Sequence, residues 1–313
     1  MQKLNSKILL FGEYSVLHKS MALTLPCDRY SGQLNFSTRE TQSKYAVQSN
    51  EYLKKFSGFI ASNLDENFVL EVKQFEREIA NGLFFQSNIP QGYGLGSSGA
   101  LVVAIFLRYL KKAKSVKDDL KGMTIEKAQK LRQSLGHLES FFHGTSSGLD
   151  PLSIILNEPI LYKNHQEVLA TTLPPKDEAG KNVIFLLNTG IARSTLGLMA
   201  RFNQLYKDPK FRNKFNNDLV NITDESINSF LNNQPQNLYR NLNKLSQFQL
   251  TEMSYLIPTP FDKLAKQGLR NGDYFLKLCG AGGGGFMLGF TENWEKTSED
   301  LKAFKPEMIY RYN

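Results

Sequence analysis

The sequence has little from which to build a redox or zinc centre. Only two cysteines, Cys27 and Cys279, occur in 313 residues, far apart and with no Cys/His spacing around them. That excludes a disulfide framework and leaves no zinc motif. The four histidines are scattered; His143, at a predicted helix end, reads as structural, and His18, His137 and His165 carry no pattern. Long apolar runs are also missing: none approaches the ~20 residues of a membrane span. "KILLFG" is too short for the apolar region of a signal peptide and meets Glu13 at once. No membrane partner and a cytoplasmic location are expected. The absence of G-x-x-x-x-G-K-[ST] excludes a P-loop, and the absence of H-R-D and D-F-G excludes a protein kinase.

Charge is present but not concentrated. The net charge is +8, yet the densest basic stretch, "RYLKKAKSVKDDLKG" (108–122), contains Asp118 and Asp119. Nucleic acid is therefore not the expected partner, whereas an enzyme of polyanionic small molecules suits a basic surface.

The order of elements reads as α+β. "SKILLFG" (6–12), "MALTLP" (21–26), "GQLNF" (32–36), part of "NFVLEVKQFE" (67–76) and "GLFFQSNIP" (82–90) read as strands or extended segments, so the first third is expected to be β-rich. From Ser97 helices take over. "TIEKAQKLRQSLGHLESFFHG" opens on a threonine cap and stops at Gly144. The turn-rich "TTLPPKDEAGKN" (171–182) is the expected domain boundary, giving 1–178 and 179–313. Beyond it come a strand over 183–190, helices to about 271, and strand–glycine loop–strand in "YFLKLCGAGGGGFMLGF" (274–290). A last strand is expected in "PEMIYRY".

Two stretches fit G-x-G-x-x-G: Gly94-Leu95-Gly96-Ser97-Ser98-Gly99, and Gly280 to Gly285 with Gly282 and Gly283 between. Neither has the surroundings of a dinucleotide fold, which needs a βαβ unit and an acid about 20 residues on. The first suits a phosphate cradle at a helix N-terminus, with a serine hydroxyl for Mg²⁺. A tight strand-to-helix turn with serine as the cap explains the same residues. The second carries more glycine than a bare hairpin requires.

Lys7 opens a strand, a place where lysine is usually solvated. Glu139 and His143 share a helix face, and Ser146-Ser147-Gly148 delivers Asp150 just before Pro151. These residues could bracket a metal–nucleotide and a hydroxyl; on this segment alone a helix stop followed by an Asp cap with Pro at N1 reads slightly better. "NTGIARSTLG" places Arg193, Ser194 and Thr195 at a helix start.

In order, "KILLFGEYSVL", "IPQGYGLGSSGA", "ESFFHGTSSGLD" and "KLCGAGGGGF" resemble the motifs of the GHMP kinase superfamily, and within it those of the mevalonate kinases. The resemblance implies a two-domain α+β fold: an N-terminal domain like those of ribosomal proteins and a ferredoxin-like C-terminal domain. It implies ATP and Mg²⁺ as cofactors, with Asp150 and Lys7 catalytic. It places Gly94, Leu95, Gly96, Ser97, Ser98, Gly99, Gly280, Gly282 and Gly283 on the nucleotide, and Ser98 and Glu139 on the metal. Lys7, Glu13, Tyr14, Arg193 and Thr195 fall to the substrate. Tyr14 stands where mevalonate kinases usually have histidine, which leans toward phosphomevalonate kinase; Ser146 replaces the more usual proline. The expected partner is a small hydroxyl or phosphate acceptor, with a homodimer left open. Sugar and homoserine kinases and a silent ligand sensor are the other readings.

Overall fold

The computed structural model describes residues 1–38, 43–63, 68–111, 124–163, 167–192 and 195–313. They form two compact units of interleaved segments: Met1–Lys7, Pro26–Pro90 and Gly96–Glu158 in the first, and Ile8–Leu25, Gln91–Leu95 and Pro159–Asn313 in the second. A cut at 178/179 lies inside the second unit. Strands β1 (Leu4–Phe11) and β2 (Ala22–Phe36) run through both.

In the first unit the outer half of β2 pairs antiparallel with β3 (Leu83–Ser87), from Gly32↔Ser87 to Phe36↔Leu83. Helix α1 (Lys44–Ser62) starts where Ser43 accepts a hydrogen bond from Ala46 N, and it buries Ala46, Leu53, Phe56 and Ile60 along one stripe. Helix α2 (Val72–Ala80) buries Phe75 and Ile79, four apart. Helix α3 (Ser97–Tyr109) is buried from Gly99 through Phe106, as its nearly unbroken apolar sequence demands. It packs against α4 (Ile125–His143) and α5 (Leu149–Leu156). Thr124 caps α4 through Lys127 N and Gly144, at φ 74°, ends it, as expected from sequence.

In the second unit the start of β2 pairs with β4 (Ile160–Lys163), which pairs with β5 (Glu167–Ala170). A separate antiparallel sheet has the order β7 (Phe275–Leu278), β8 (Phe286–Thr291), β6 (Asn182–Asn188), β9 (Glu307–Tyr312). Strand β6 lies inside it, between β8 and β9, which is why Val183–Leu187 are all buried. Helices α6 (Thr195–Tyr206), α7 (Pro209–Lys214), α8 (Val220–Leu231), α9 (Pro235–Glu252), α10 (Phe261–Asn271) and α11 (Trp294–Asp300) complete the unit. Among the described residues no helix is long and apolar enough to cross a membrane.

Three expectations are corrected. Residues 22–36 form one strand rather than two. Gly32 is bare because the Phe85 ring lies over it, 2.2 Å from where a Cβ would stand. On the side of β2 away from β1, Pro26 falls between the ladder to β4, which ends at Thr24, and that to β3, which begins at Gly32. The alternation in 67–76 gives way to α2, whose Phe75 and Ile79 obey the helical period. The first third is not mainly β, since α1 and α2 occupy much of it.

Candidate active site

In the first unit β1 delivers Lys7 to a buried position, 3 % exposed, contrary to the solvated lysine expected at a strand opening. Its Nζ lies 2.6 Å from Asp150 Oδ1, and the Asp150 side chain is 38 % exposed. One side of the carboxylate is thus held by an ammonium while another meets solvent. Asp150 sits in the first turn of α5 but is not its cap; Gly148, at φ 71°, is. A Cβ on Gly148 would fall 2.0 Å from Arg132 O, so only glycine permits this entry to the helix.

The glycines of 92–99 have separate reasons. Gly96, at φ 78°, lies beneath the Lys7 stem: a Cβ there would come 3.2 Å from Lys7 Cγ and 3.1 Å from Ile154 Cδ1. Gly99 lets the backbones of α3 and α5 approach, its Cβ position being 3.0 Å from Pro151 N. Gly96 is the cap residue of α3 and no side chain caps the helix. The serine-cap alternative is therefore excluded: the cap is a glycine and the helix opens with no side-chain cap, an arrangement that favours anions. Ser98 instead donates through Oγ to Glu139 Oε1 at 2.9 Å. Ser146 donates to Glu139 Oε2 at 2.5 Å and accepts from Gly148 N at 3.0 Å. Burial, reinforced by the neighbouring Asp150 charge, pushes the Glu139 carboxyl up to about 7, against the two serine hydroxyls and Lys7.

In the second unit Gly12, at φ 114°, turns the chain so that Glu13 and Tyr14 leave β1 in a tight bend. Glu13 Oε1 pairs with Lys277 Nζ at 2.5 Å, with both side chains buried. Tyr14 donates to Ala281 O at 2.7 Å. Gly280 and Gly282 to Gly285 all have positive φ. Leu95 is fully buried, and Gly94 has φ 81°. Tyr93 packs edge-on against Phe286, and a Cβ on Gly285 would lie 2.7 Å from Tyr93 Cα. Within this unit, then, the end of the glycine-rich hairpin and the start of the other glycine loop are in direct contact. Leu198, on α6, closes over Gly283. Arg193 lies outside the described residues, as do the side chains of Thr195 and His143.

Two residues of these clusters receive no site role in the sequence reading. Ser146 had a signal in its place just past a helix stop, and Lys277 in being the one charge within "YFLKLC".

Residues 56–157 match the family described as the GHMP kinases N terminal domain. The mevalonate kinase of Thermococcus sibiricus is 24 % identical over 323 residues, covering 96 % of this chain and 91 % of that protein. The solved L. major mevalonate kinase in complex with R-mevalonate superposes with a TM-score of 0.65 at 16 % identity, covering 100 % of this chain and 96 % of the other. The Streptococcus pneumoniae phosphomevalonate kinase, in complex with phosphomevalonate and AMPPNP, gives 0.61 at 13 % identity, covering 99 % and 98 %. The chain has the α/β fold of the GHMP kinases, and residues 56–157 match that superfamily's N-terminal domain. Mevalonate kinases are among the proteins that both the sequence and the fold comparisons return.

Proposed function

We propose that this protein is an ATP-dependent kinase that phosphorylates the primary hydroxyl of mevalonate. The observation that carries the reading is the Lys7–Asp150 pair at 2.6 Å, half open to solvent, beside a helix start without a capping side chain. Phosphoryl transfer needs positioning and charge neutralisation rather than a covalent intermediate. Asp150 accepts the hydrogen bond of the acceptor hydroxyl and orients its oxygen toward the γ-phosphorus. Lys7 holds that carboxylate in place and offsets negative charge developing on the oxygen. The amides at the start of α3, from Gly96 to Ser98, receive the triphosphate.

Ser98 Oγ and Glu139 Oε1, 2.9 Å apart, are hard oxygen donors of the kind magnesium takes. Among the described residues no group of three His, Cys, Asp or Glu is placed to cage a metal. The donor set therefore fits an ion shared with phosphates and water, which would neutralise the triphosphate. The resemblance of "GEYSVL" to the first motif of phosphomevalonate kinases makes phosphomevalonate the alternative acceptor. Coupled ADP release with mevalonate, phosphomevalonate, galactose and homoserine tests the reading, and turnover with phosphomevalonate alone overturns it.

A further inference from the structure

Lys277 is the charged residue of an otherwise apolar strand, and its ammonium is buried. Besides Glu13 it donates to Leu278 O at 2.7 Å and lies 5.7 Å from the Phe11 ring centroid. Leu278 N in turn donates to Gln249 Oε1 at 2.9 Å. Replacing such a pair by apolar groups is often neutral or stabilising, so tight packing alone gives no reason to bury it. What the pair does supply is fixed direction at the root of the glycine loop. The next residue along from Glu13 reaches the same loop. Tyr14 holds φ 61° and ψ −43°, a strained backbone for a bulky residue, and its hydroxyl meets Ala281 O while its ring packs 4.6 Å from Phe202.

The loop has need of such ties. Five of its six residues from Gly280 to Gly285 are glycines, all at positive φ, with no side chains to interlock. Its far end is anchored by Gly283 N to Leu256 O, Gly285 N to Ile191 O, and Thr189 N to Gly285 O. Its near end is anchored by Lys277 and its second residue by Tyr14. We infer that Glu13, Tyr14 and Lys277 are positioning residues that set the conformation of the glycine loop, and that Glu13 and Tyr14 are not contacts to the acceptor. The kinetic part of this inference rests on the kinase reading; the structural part does not.

Tyr14→Phe keeps the ring on Phe202 and removes only the hydroxyl. In amide hydrogen exchange without ligand, it should speed exchange over 279–285 roughly fivefold to tenfold, with β6 and β9 unchanged. In steady-state kinetics it should lower kcat by a similar factor, with the acceptor KM within about twofold. Unchanged loop exchange overturns the inference. So does an acceptor KM raised about tenfold over an unaltered loop, the signature of a direct contact. The double variant Glu13→Leu/Lys277→Met leaves no unpaired buried charge. It should fold and show faster exchange at Leu278 to Gly280, and wild-type exchange there overturns the inference. If the wild type turns over no acceptor, the kinase reading fails, and the exchange measurements still decide this one.

Discussion

Glu139 gives the prediction with the most direct physical test. Its carboxyl is 4 % exposed, accepts from Ser98 and Ser146, and is pushed from an ordinary 4.5 up to about 7. Between those two values the folded protein holds a proton that the unfolded chain has released. Stability therefore falls as pH rises from 4.5 and levels off above about 7. At about 1.4 kcal/mol for each pH unit of displacement, the charged carboxylate costs roughly 3 kcal/mol of folding free energy. Glu139→Gln removes that cost while keeping an oxygen to accept from Ser98, and its amide can donate to Ser146 Oγ. In metal-free buffer the variant should gain stability over the wild type as pH rises from 4.5 to 8, by up to roughly 3 kcal/mol. Urea unfolding followed by circular dichroism at several pH values measures the difference, and the subtraction removes the titration of all other groups. Asp150→Asn should narrow the gap, because the Asp150 charge is the second cause of the shift after burial. Wild type and Glu139→Gln curves that run parallel across this range would refute the reasoning.

Asp150→Asn should lower kcat by about 10²–10⁴ while nucleotide affinity, measured by calorimetry, stays within about twofold; turnover near the wild-type rate removes Asp150 from the mechanism. Gly285→Ala and Gly144→Ala compare two glycines at φ 71° and 74°. Only the first would press a Cβ onto backbone, at 2.7 Å from Tyr93 Cα, whereas nothing lies within 4 Å of the second. Thermal unfolding should therefore show Gly144→Ala costing ~1 kcal/mol and Gly285→Ala clearly more. Chelating divalent ions should abolish ADP release and added magnesium restore it; full activity in excess chelator would contradict the role given to Ser98 and Glu139.

Much of the fold was legible where local chemistry and tertiary packing agree. The Thr124 cap, the Gly144 stop, the strand over 183–190 and the two strands around the glycine loop all came from patterns that the structure keeps. Misreadings fell where a residue type has two uses. Gly32 and Pro26 look like turn residues, but one sits under Phe85 and the other at a gap between two ladders. The segment around Val72 has enough alternation to suggest a strand, and only burial of Phe75 and Ile79 decides for a helix. Helix α1 went unseen because its polar residues hide a stripe of only a few apolar ones.

The site shows the same division more sharply. Glycine at 94, 96 and 99 suggested a bare loop for an anion, and two of the three are also required by packing that no motif displays. Gly96 makes room for the stem of Lys7, and Gly99 for the backbone of α5. One residue change at either position would therefore disturb the Lys7–Asp150 pair before it touched a phosphate. The pairing itself joins positions 143 residues apart, and that of Glu13 with Lys277 joins positions 264 apart. Such distances explain why Lys277 gave so little signal. A serine after a helix stop and a lysine in a strand are ordinary until a buried carboxylate is found against each. Ser146 also accounts for its own presence: as the donor to Glu139 Oε2 and the acceptor from Gly148 N, it does work that a proline, lacking a hydroxyl, could not. The departure from the family pattern at 146 is thus part of how this chain holds its Glu139 carboxyl.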